Sequence, residues 1–331
     1  MIIVRSPLRV SLLGGGSDLP EFYSKAEGCV ISFALAKYIY ITVNDLAEST
    51  DILLKYSKLE RVKKIEDVQH PIVRSALKRF GVTGVDLSIT SDIPAGTGLG
   101  SSSSFTVGIV KALSEYSGLN LSQSELAEIA CDIELNDLQE PIGKQDQYAA
   151  SFGGINFFVF HQNGQVSLPK LREKNAIENW IIDSCLLVRV GTVRKSTQIL
   201  ADQSSRLKQG VIFDSTKSLT NMVKKFESEL PGSLKTLGSL LNESWQVKKK
   251  LAIGITNEEI DKTLNSAIEF GAVGGKLLGA GQSGYLLLVF PNRGKRVEYI
   301  KSLPIGSMTI LPRIDSDGCK VIFRSEKNGF S

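Results

Sequence analysis

Between Pro94 and Ser104 the chain reads Pro-Ala-Gly-Thr-Gly-Leu-Gly-Ser-Ser-Ser-Ser. Three glycines in five residues let a backbone turn tightly and approach a ligand closely. The alternation of Val85, Leu87 and Ile89 predicts a half-buried strand before the loop. Val107, Val110 and Leu113 recur at helical spacing after it. A serine is expected to cap that helix. Strand, glycine loop and helix N-terminus together present unpaired N–H groups and the positive end of a helix dipole, which is a cradle for phosphate. The serine hydroxyls can hold phosphate oxygens or a Mg²⁺ ion. The ligand-contacting set drawn from this loop is Pro94, Gly96, Gly98, Leu99, Gly100, Ser101, Ser102, Ser103 and Ser104.

Several phosphate-binding classes are excluded. No G-x4-G-K-[ST] run occurs, so the loop is not a Walker A motif. His-Arg-Asp and Asp-Phe-Gly are absent, which excludes the protein-kinase pattern. A second glycine run, Gly279-Ala-Gly-Gln-Ser-Gly284, follows a helix and precedes a strand, the reverse of the dinucleotide-binding order. With two histidines, His70 and His161, a histidine triad or histidine metal site is disfavoured, and both are read as structural. The four cysteines have no metal or redox spacing and read as free buried thiols, as in a reducing cytoplasm. A net charge of +4 is too small for a nucleic-acid protein, and the run Lys248–Lys250 reads as a solvated helix face. No apolar run approaches the ~20 residues of a membrane span, and Arg5 and Arg9 break any leader-like stretch. A cytoplasmic protein that binds neither nucleic acid nor membrane is expected, as monomer or homodimer.

The remaining elements are legible in outline. Residues 2–13 read as a strand ending in a glycine turn, and residues 29–43 as one or two strands. Helices are expected at 70–81 and at 122–138, the latter opened by a capping box from Ser122 to Glu125. Strands follow at 153–160, 185–190, 285–290 and 320–324, with helices through 194–228, 233–251 and, capped by Asn257, 257–271. The polar stretch 162–175 marks a seam, giving domains at 1–170 and 171–331.

Two more motifs flank the loop. One is Leu8-Arg-Val-Ser-Leu-Leu-Gly-Gly-Gly-Ser-Asp18; the other is Gly274-Gly-Lys-Leu-Leu-Gly-Ala-Gly-Gln-Ser-Gly284. In this order and spacing the three resemble the GHMP kinase superfamily of galactokinase, homoserine kinase, mevalonate kinase and phosphomevalonate kinase. GGGSDLPEFY, KYSKLERV and HPIVRSALK are similar to the branch containing heptose 7-phosphate kinase and the kinase part of fucokinase. The galactokinase motif carries Glu-His where this chain has Gly15 and Gly16, a change that opens room for a differently shaped sugar.

The resemblance implies an α+β fold of two domains: an N-terminal one with a left-handed β-α-β unit and a C-terminal ferredoxin-like one, with the active site between them. It implies ATP and Mg²⁺ as co-substrates and transfer to C1 of D-glycero-α-D-manno-heptose 7-phosphate, giving the 1,7-bisphosphate used in nucleotide-heptose synthesis for surface polysaccharide. Another sugar kinase, or a non-catalytic sugar sensor, is the alternative. By residue, the match makes Asp146 the catalytic base, with Arg9 beside it. Glu134 and Ser102 become the Mg²⁺ ligands, with Ser101 as the alternative hydroxyl. Gly279 and Gly281 pack beside the phosphates, and Gly15, Gly16, Ser17 and Asp18 join Asp146 at the sugar. Lys37, Arg194 and Lys195 are candidates for holding a sugar phosphate. A carboxylate, with a reference pKa of about 3.9, is a weak base, which favours an acidic anomeric hydroxyl as acceptor.

Overall fold

A computed structural model describes residues 1–47, 49–191, 197–230 and 232–325. Two antiparallel-rich sheets organise it. In chain order the first half contains β1 (Ile2–Leu13), α1 (Pro20–Tyr23), β2 (Gly28–Asp45), β3 (Ile52–Lys55), β4 (Leu59–Val62), α2 (Pro71–Phe80), β5 (Val85–Ser91), α3 (Ser101–Tyr116), α4 (Gln123–Asp132), α5 (Gln145–Phe152), β6 (Ile155–Phe160) and β7 (Val166–Ser167). The second contains α6 (Lys174–Ser184), β8 (Cys185–Val190), α7 (Thr197–Lys208), α8 (Phe213–Ser228), α9 (Leu234–Lys248), α10 (Glu258–Glu269), β9 (Gly274–Leu277), β10 (Gly284–Val289), α11 (Arg293–Ser302), β11 (Thr309–Ile310) and β12 (Lys320–Arg324).

The stretch expected as one or two strands is a single strand, β2, of 18 residues. Its first half is buried on both faces and its second half alternates. One edge of β2 pairs with β1 along most of its length. The other edge is shared end to end by β6 on Gly28–Phe33 and β5 on Ile39–Asp45. The sheet order is β12-β1-β2-β5-β3-β4, with β6 and β7 branching from β2. β3 and β5 are parallel neighbours, joined through β4 and α2. α3 packs across β1 and β2, with the phosphate-loop end of that helix held against residues 6–9 in the middle of β1.

The second sheet runs β11-β8-β10-β9. Numbered within its own half, this is the antiparallel order four-one-three-two of a β-α-β-β-α-β unit, the ferredoxin-like arrangement, with its first crossover expanded to four helices. The boundary at 170/171 needs one correction. β12 leaves the second half and pairs antiparallel with β1, from Ile2 opposite Arg324 to Arg5 opposite Lys320. Both ends of the described chain thus close the first sheet. The apolar core is continuous through the seam, from Leu8, Phe22 and Phe33 to Phe226, Trp245 and Phe290. Among the described residues no helix is long and apolar enough to cross a membrane.

Candidate active site

The glycine loop leaves β5 and enters α3 as the spacing predicts, but the helix is not capped by a serine. Its N-cap is Gly100, in the left-handed region at φ 72°, and no side chain accepts from the first-turn amides. Those N–H groups are therefore free to take an anion, which a serine cap would have consumed. The two glycine motifs meet backbone to backbone. A Cβ on Gly98 (φ +78°) would lie 2.6 Å from the Leu278 carbonyl oxygen. Gly98→Ala is expected to cost about 1–3 kcal/mol, read as a lower denaturant midpoint, and to raise the KM for nucleotide by displacing the loop.

Arg9 ties three elements together. From β1 its Nε and Nη2 donate to the two carboxylate oxygens of Asp146, each at 2.6 Å, and its Nη1 donates to the Gly98 carbonyl at 2.6 Å. Its own N–H donates to the Leu99 carbonyl at 2.9 Å. A bidentate guanidinium–carboxylate pair fixes both position and plane. Asp146 sits in the first turn of α5, beside the loop: a Cβ on Gly100 would come within 3.1 Å of Asp146 Oδ2.

Glu134 lies in a single π-turn, Ile133–Asp137, that follows α4 without a break. Such turns re-aim one side chain and recur at functional sites. This one carries Glu134 under α3, where it is 1% exposed. Gln147 Nε2 donates to Oε2 at 2.6 Å, and Ser102 Oγ donates to Oε1 at 3.4 Å. Burial pushes the Glu134 carboxyl up to about 7, against hydrogen bonds that favour its charged form. One carboxylate and one hydroxyl fit a hard cation that takes its other oxygens from phosphate and water. Among the described residues there is no cluster of three or more carboxylate, imidazole or thiol groups that could hold a metal.

These groups line one cavity of about 600 Å³ at the seam between the two sheets. Its ends differ. At one end Ile39, Ile72, Ile89 and Phe105 surround Tyr56 and His70. The His70 ring packs 5.2 Å from Tyr56 and 5.0 Å from Phe105, and its Nδ1 is buried without a partner. Burial also lowers the His70 pKa. An apolar slot with one unmet polar atom suits a heteroaromatic base. At the other end are Gly15, Gly16, Asp18 and Gln145. Asp18 accepts from the N–H of Gly16 at 3.0 Å and of Gln145 at 3.2 Å, and burial together with the Asp146 charge raises its pKa. Ser11 Oγ and Gln145 Oε1 face this end buried and unpartnered, which is what hydroxyl-bearing ligands relieve.

Not every residue expected at the site is there. Leu99 is fully buried in the core, and Pro94 does not line the cavity. Ser104 turns away to donate to the Pro7 carbonyl at 2.8 Å. Ser17 donates to the carbonyls of Gly14 and Cys29, stapling the turn after β1 rather than facing a ligand. Lys37 lies in an irregular stretch of β2 outside the cavity. Arg194 and Lys195 lie outside the described residues. Gly16 is required by its own backbone, at φ +100°, and a Cβ there would meet Gln203 Nε2 at 2.7 Å; only Gly15 has the room that a larger side chain would fill.

Other lining residues are given no site role by the sequence: Tyr56 and His70 lie in KYSKLERV and HPIVRSALK, His70 reads as structural, and Gln203 carries no signal of its own. Lys248 was read as part of a solvated face, yet its ammonium donates into the cavity wall, to the carbonyls of Leu277 at 3.5 Å and Gly279. Lys276 is buried on β9. Its position inside the third glycine motif is the signal that could have found it.

Residues 67–154 match the family model for the GHMP kinase N-terminal domain, and residues 218–299 the model for the GHMP kinase C-terminal domain. The chain is similar to D-glycero-α-D-manno-heptose 7-phosphate kinase of Campylobacter jejuni, 31% identical over 91% of this chain and 93% of that one. It is 26% identical to the bifunctional fucokinase/GDP-fucose pyrophosphorylase of Arabidopsis thaliana, over 89% of this chain and 30% of that longer protein. A solved D-glycero-D-manno-heptose 1-phosphate kinase from Bacteroides thetaiotaomicron superposes with a TM-score of 0.74 at 26% identity, covering 98% of this chain and 100% of the other.

Proposed function

The chain belongs to the GHMP kinases, as a sugar-phosphate kinase that transfers phosphate to a hydroxyl, and we propose that its reaction is transfer of the γ-phosphoryl group of ATP to C1 of D-glycero-α-D-manno-heptose 7-phosphate. The observation that carries this reading is the placement of Asp146: a carboxylate locked by Arg9 beside an uncapped helix N-terminus, with a sugar-sized polar recess next to it.

In this reading the base of ATP fills the Tyr56–His70 slot and its phosphates lie along Gly96–Ser103, against Gly279 and Gly281. Ser102 and Glu134 would hold a Mg²⁺ ion, which would supply charge neutralisation at the phosphate oxygens. Asp18, Ser11 and Gln145 take sugar hydroxyls. Asp146 orients the acceptor hydroxyl and receives its proton as the new O–P bond forms and the bond from the γ-phosphorus to the β,γ-bridging oxygen breaks, releasing ADP. Arg9 keeps both oxygens of that carboxylate in place. An anomeric hydroxyl is the most acidic on a sugar, so it suits a weak carboxylate base. Four buried free cysteines fit a reducing, ATP-supplied cytoplasm.

The two heptose kinases above differ by name in the phosphate their substrate carries. A coupled ADP-release assay should therefore offer heptose 7-phosphate, heptose 1-phosphate, fucose, galactose and mevalonate. Turnover is expected with heptose 7-phosphate, with new phosphorus–proton coupling at H1 of the product. Turnover with fucose or galactose and none with either heptose phosphate would overturn the substrate assignment.

A further inference from the structure

Three cations line the cavity at the seam: Arg9, Lys248 and Lys276. Among the described residues only Arg9 of the three has a carboxylate partner. Lys248, the last residue of α9, reaches backbone carbonyls alone. Lys276, 5% exposed on β9, has no hydrogen-bond or ion-pair partner among the described residues. An ammonium group taken out of water without a counter-charge is costly, and two in one cavity also repel each other. Burial, with the neighbouring cations, holds Lys276 well below the usual lysine range and Lys248 down to about 8. Asp18, Glu134, Glu140 and Asp146 line the same cavity, yet among the described residues neither lysine pairs with any of them, so an anion of the ligand is left to meet the two ammonium groups. Its place is set by the backbone: Lys276 leads into Leu278 and Gly279, which pack on Gly98 of the phosphate loop, while Arg9 and Asp146 border the same loop at Gly100.

We propose that Lys248 and Lys276 together bind a phosphate group at the acceptor end of the cavity. This rests on the kinase reading, which supplies two sources for that group: the phosphoryl in transit, or a phosphate already on the sugar. The pair answers from the second half of the chain to the amides of α3 from the first, so the anion bridges the seam.

Lys276→Met and Lys248→Met separate the possibilities, since methionine keeps length and removes charge. Melting is measured with and without inorganic phosphate, and ADP release with phosphorylated and unphosphorylated heptose. Phosphate is expected to raise the melting temperature of the wild type and to lose that effect in either variant. A KM raised about tenfold or more for the phosphorylated sugar alone assigns the sugar's own phosphate; a kcat lowered about tenfold or more with both sugars assigns the phosphoryl in transit. Lys276→Arg should restore part of either loss. If both methionine variants keep the phosphate-induced shift and both kinetic constants, the proposal is wrong. A wild type that turns over no sugar defeats the kinase reading, and the phosphate melting shift then decides the anion site by itself. Should Lys248→Met fail to fold for want of its carbonyl contacts, Lys276→Met, which breaks no hydrogen bond, still decides.

Discussion

Asp146→Asn is expected to lower kcat by roughly 10²–10⁴-fold, the range for a positioned proton acceptor, with the KM for ATP nearly unchanged. Asparagine keeps one carbonyl oxygen for Arg9, so the 2.6 Å contact at that atom can persist. What is lost is the charge that receives the proton and one arm of the bidentate pair. Arg9 is then a buried cation with a neutral partner, and losing one member of a buried pair costs on the order of 3–5 kcal/mol when nothing replaces it. Thermal melting must therefore accompany the kinetics. A variant that melts within a few degrees of the wild type and binds nucleotide, yet turns over slowly, identifies Asp146 with the chemical step. Near-normal kcat in Asp146→Asn would remove it from that role. Asp146→Ala is the less informative change, because it strands Arg9 entirely and confounds folding with chemistry.

The contrast between Asp146 and Lys248 shows how far sequence reaches in this chain. The phosphate loop is local: glycine spacing, a strand before and a helix after suffice to read it, and β8 and β12 fall on the residues that alternation and apolar runs predict. The capping box at Ser122 and Glu125 forms as read, because it needs only four consecutive residues. The roles proposed for Glu134, Asp146 and Asp18 come from resemblance to a family and not from spacing, since carboxylates are common on any surface. Helical periodicity over 122–138 misses the π-turn that aims Glu134, because one extra residue per turn leaves little trace in a hydrophobic pattern. Lys248 sits in a run of three lysines, and only the packing of α9 on β9 brings it to the loop. The slot of Tyr56 and His70 is assembled from β3's following turn and the start of α2, two segments with no shared motif. Gly100 displaces serine as the helix cap for a reason of chemistry: a side-chain cap would occupy the amides that an anion needs.

Glu134→Gln tests the other buried carboxylate, and its consequences depend on pH. In the folded protein burial raises the carboxyl from its ordinary 4.5 up to about 7. The folded state thus binds the proton more tightly than the unfolded chain. The stability this contributes is fully present below about pH 4.5, falls as pH rises through the window to about 7, and stays lost above it. Within that window the slope is on the order of 1 kcal/mol per pH unit. Nucleotide-free wild type should therefore lose melting temperature relative to Glu134→Gln between about pH 5 and about pH 8. The amide is isosteric, and Gln147 can turn its own amide to meet it, so packing around α3 is preserved. Taking the difference between the two proteins cancels the other titrating groups in the cavity, including Asp18, whose carboxyl is also raised, and His70, which is lowered. Cation binding runs the other way, because the ligand is the carboxylate: the wild-type requirement for Mg²⁺ should rise as pH falls below about 7, with Ser102 left as a neutral donor beside a protonated acid. The amide removes that pH dependence and raises the requirement roughly 10–100-fold above about pH 7, converging with the wild type as pH falls, the scale on which a lost ligand-shell group weakens a metal site. Melting curves across pH and kcat against Mg²⁺ concentration measure both effects. Equal pH slopes in the two proteins would mean that Glu134 is already ionised in the folded state, and an unchanged Mg²⁺ requirement would mean that the cation is held elsewhere.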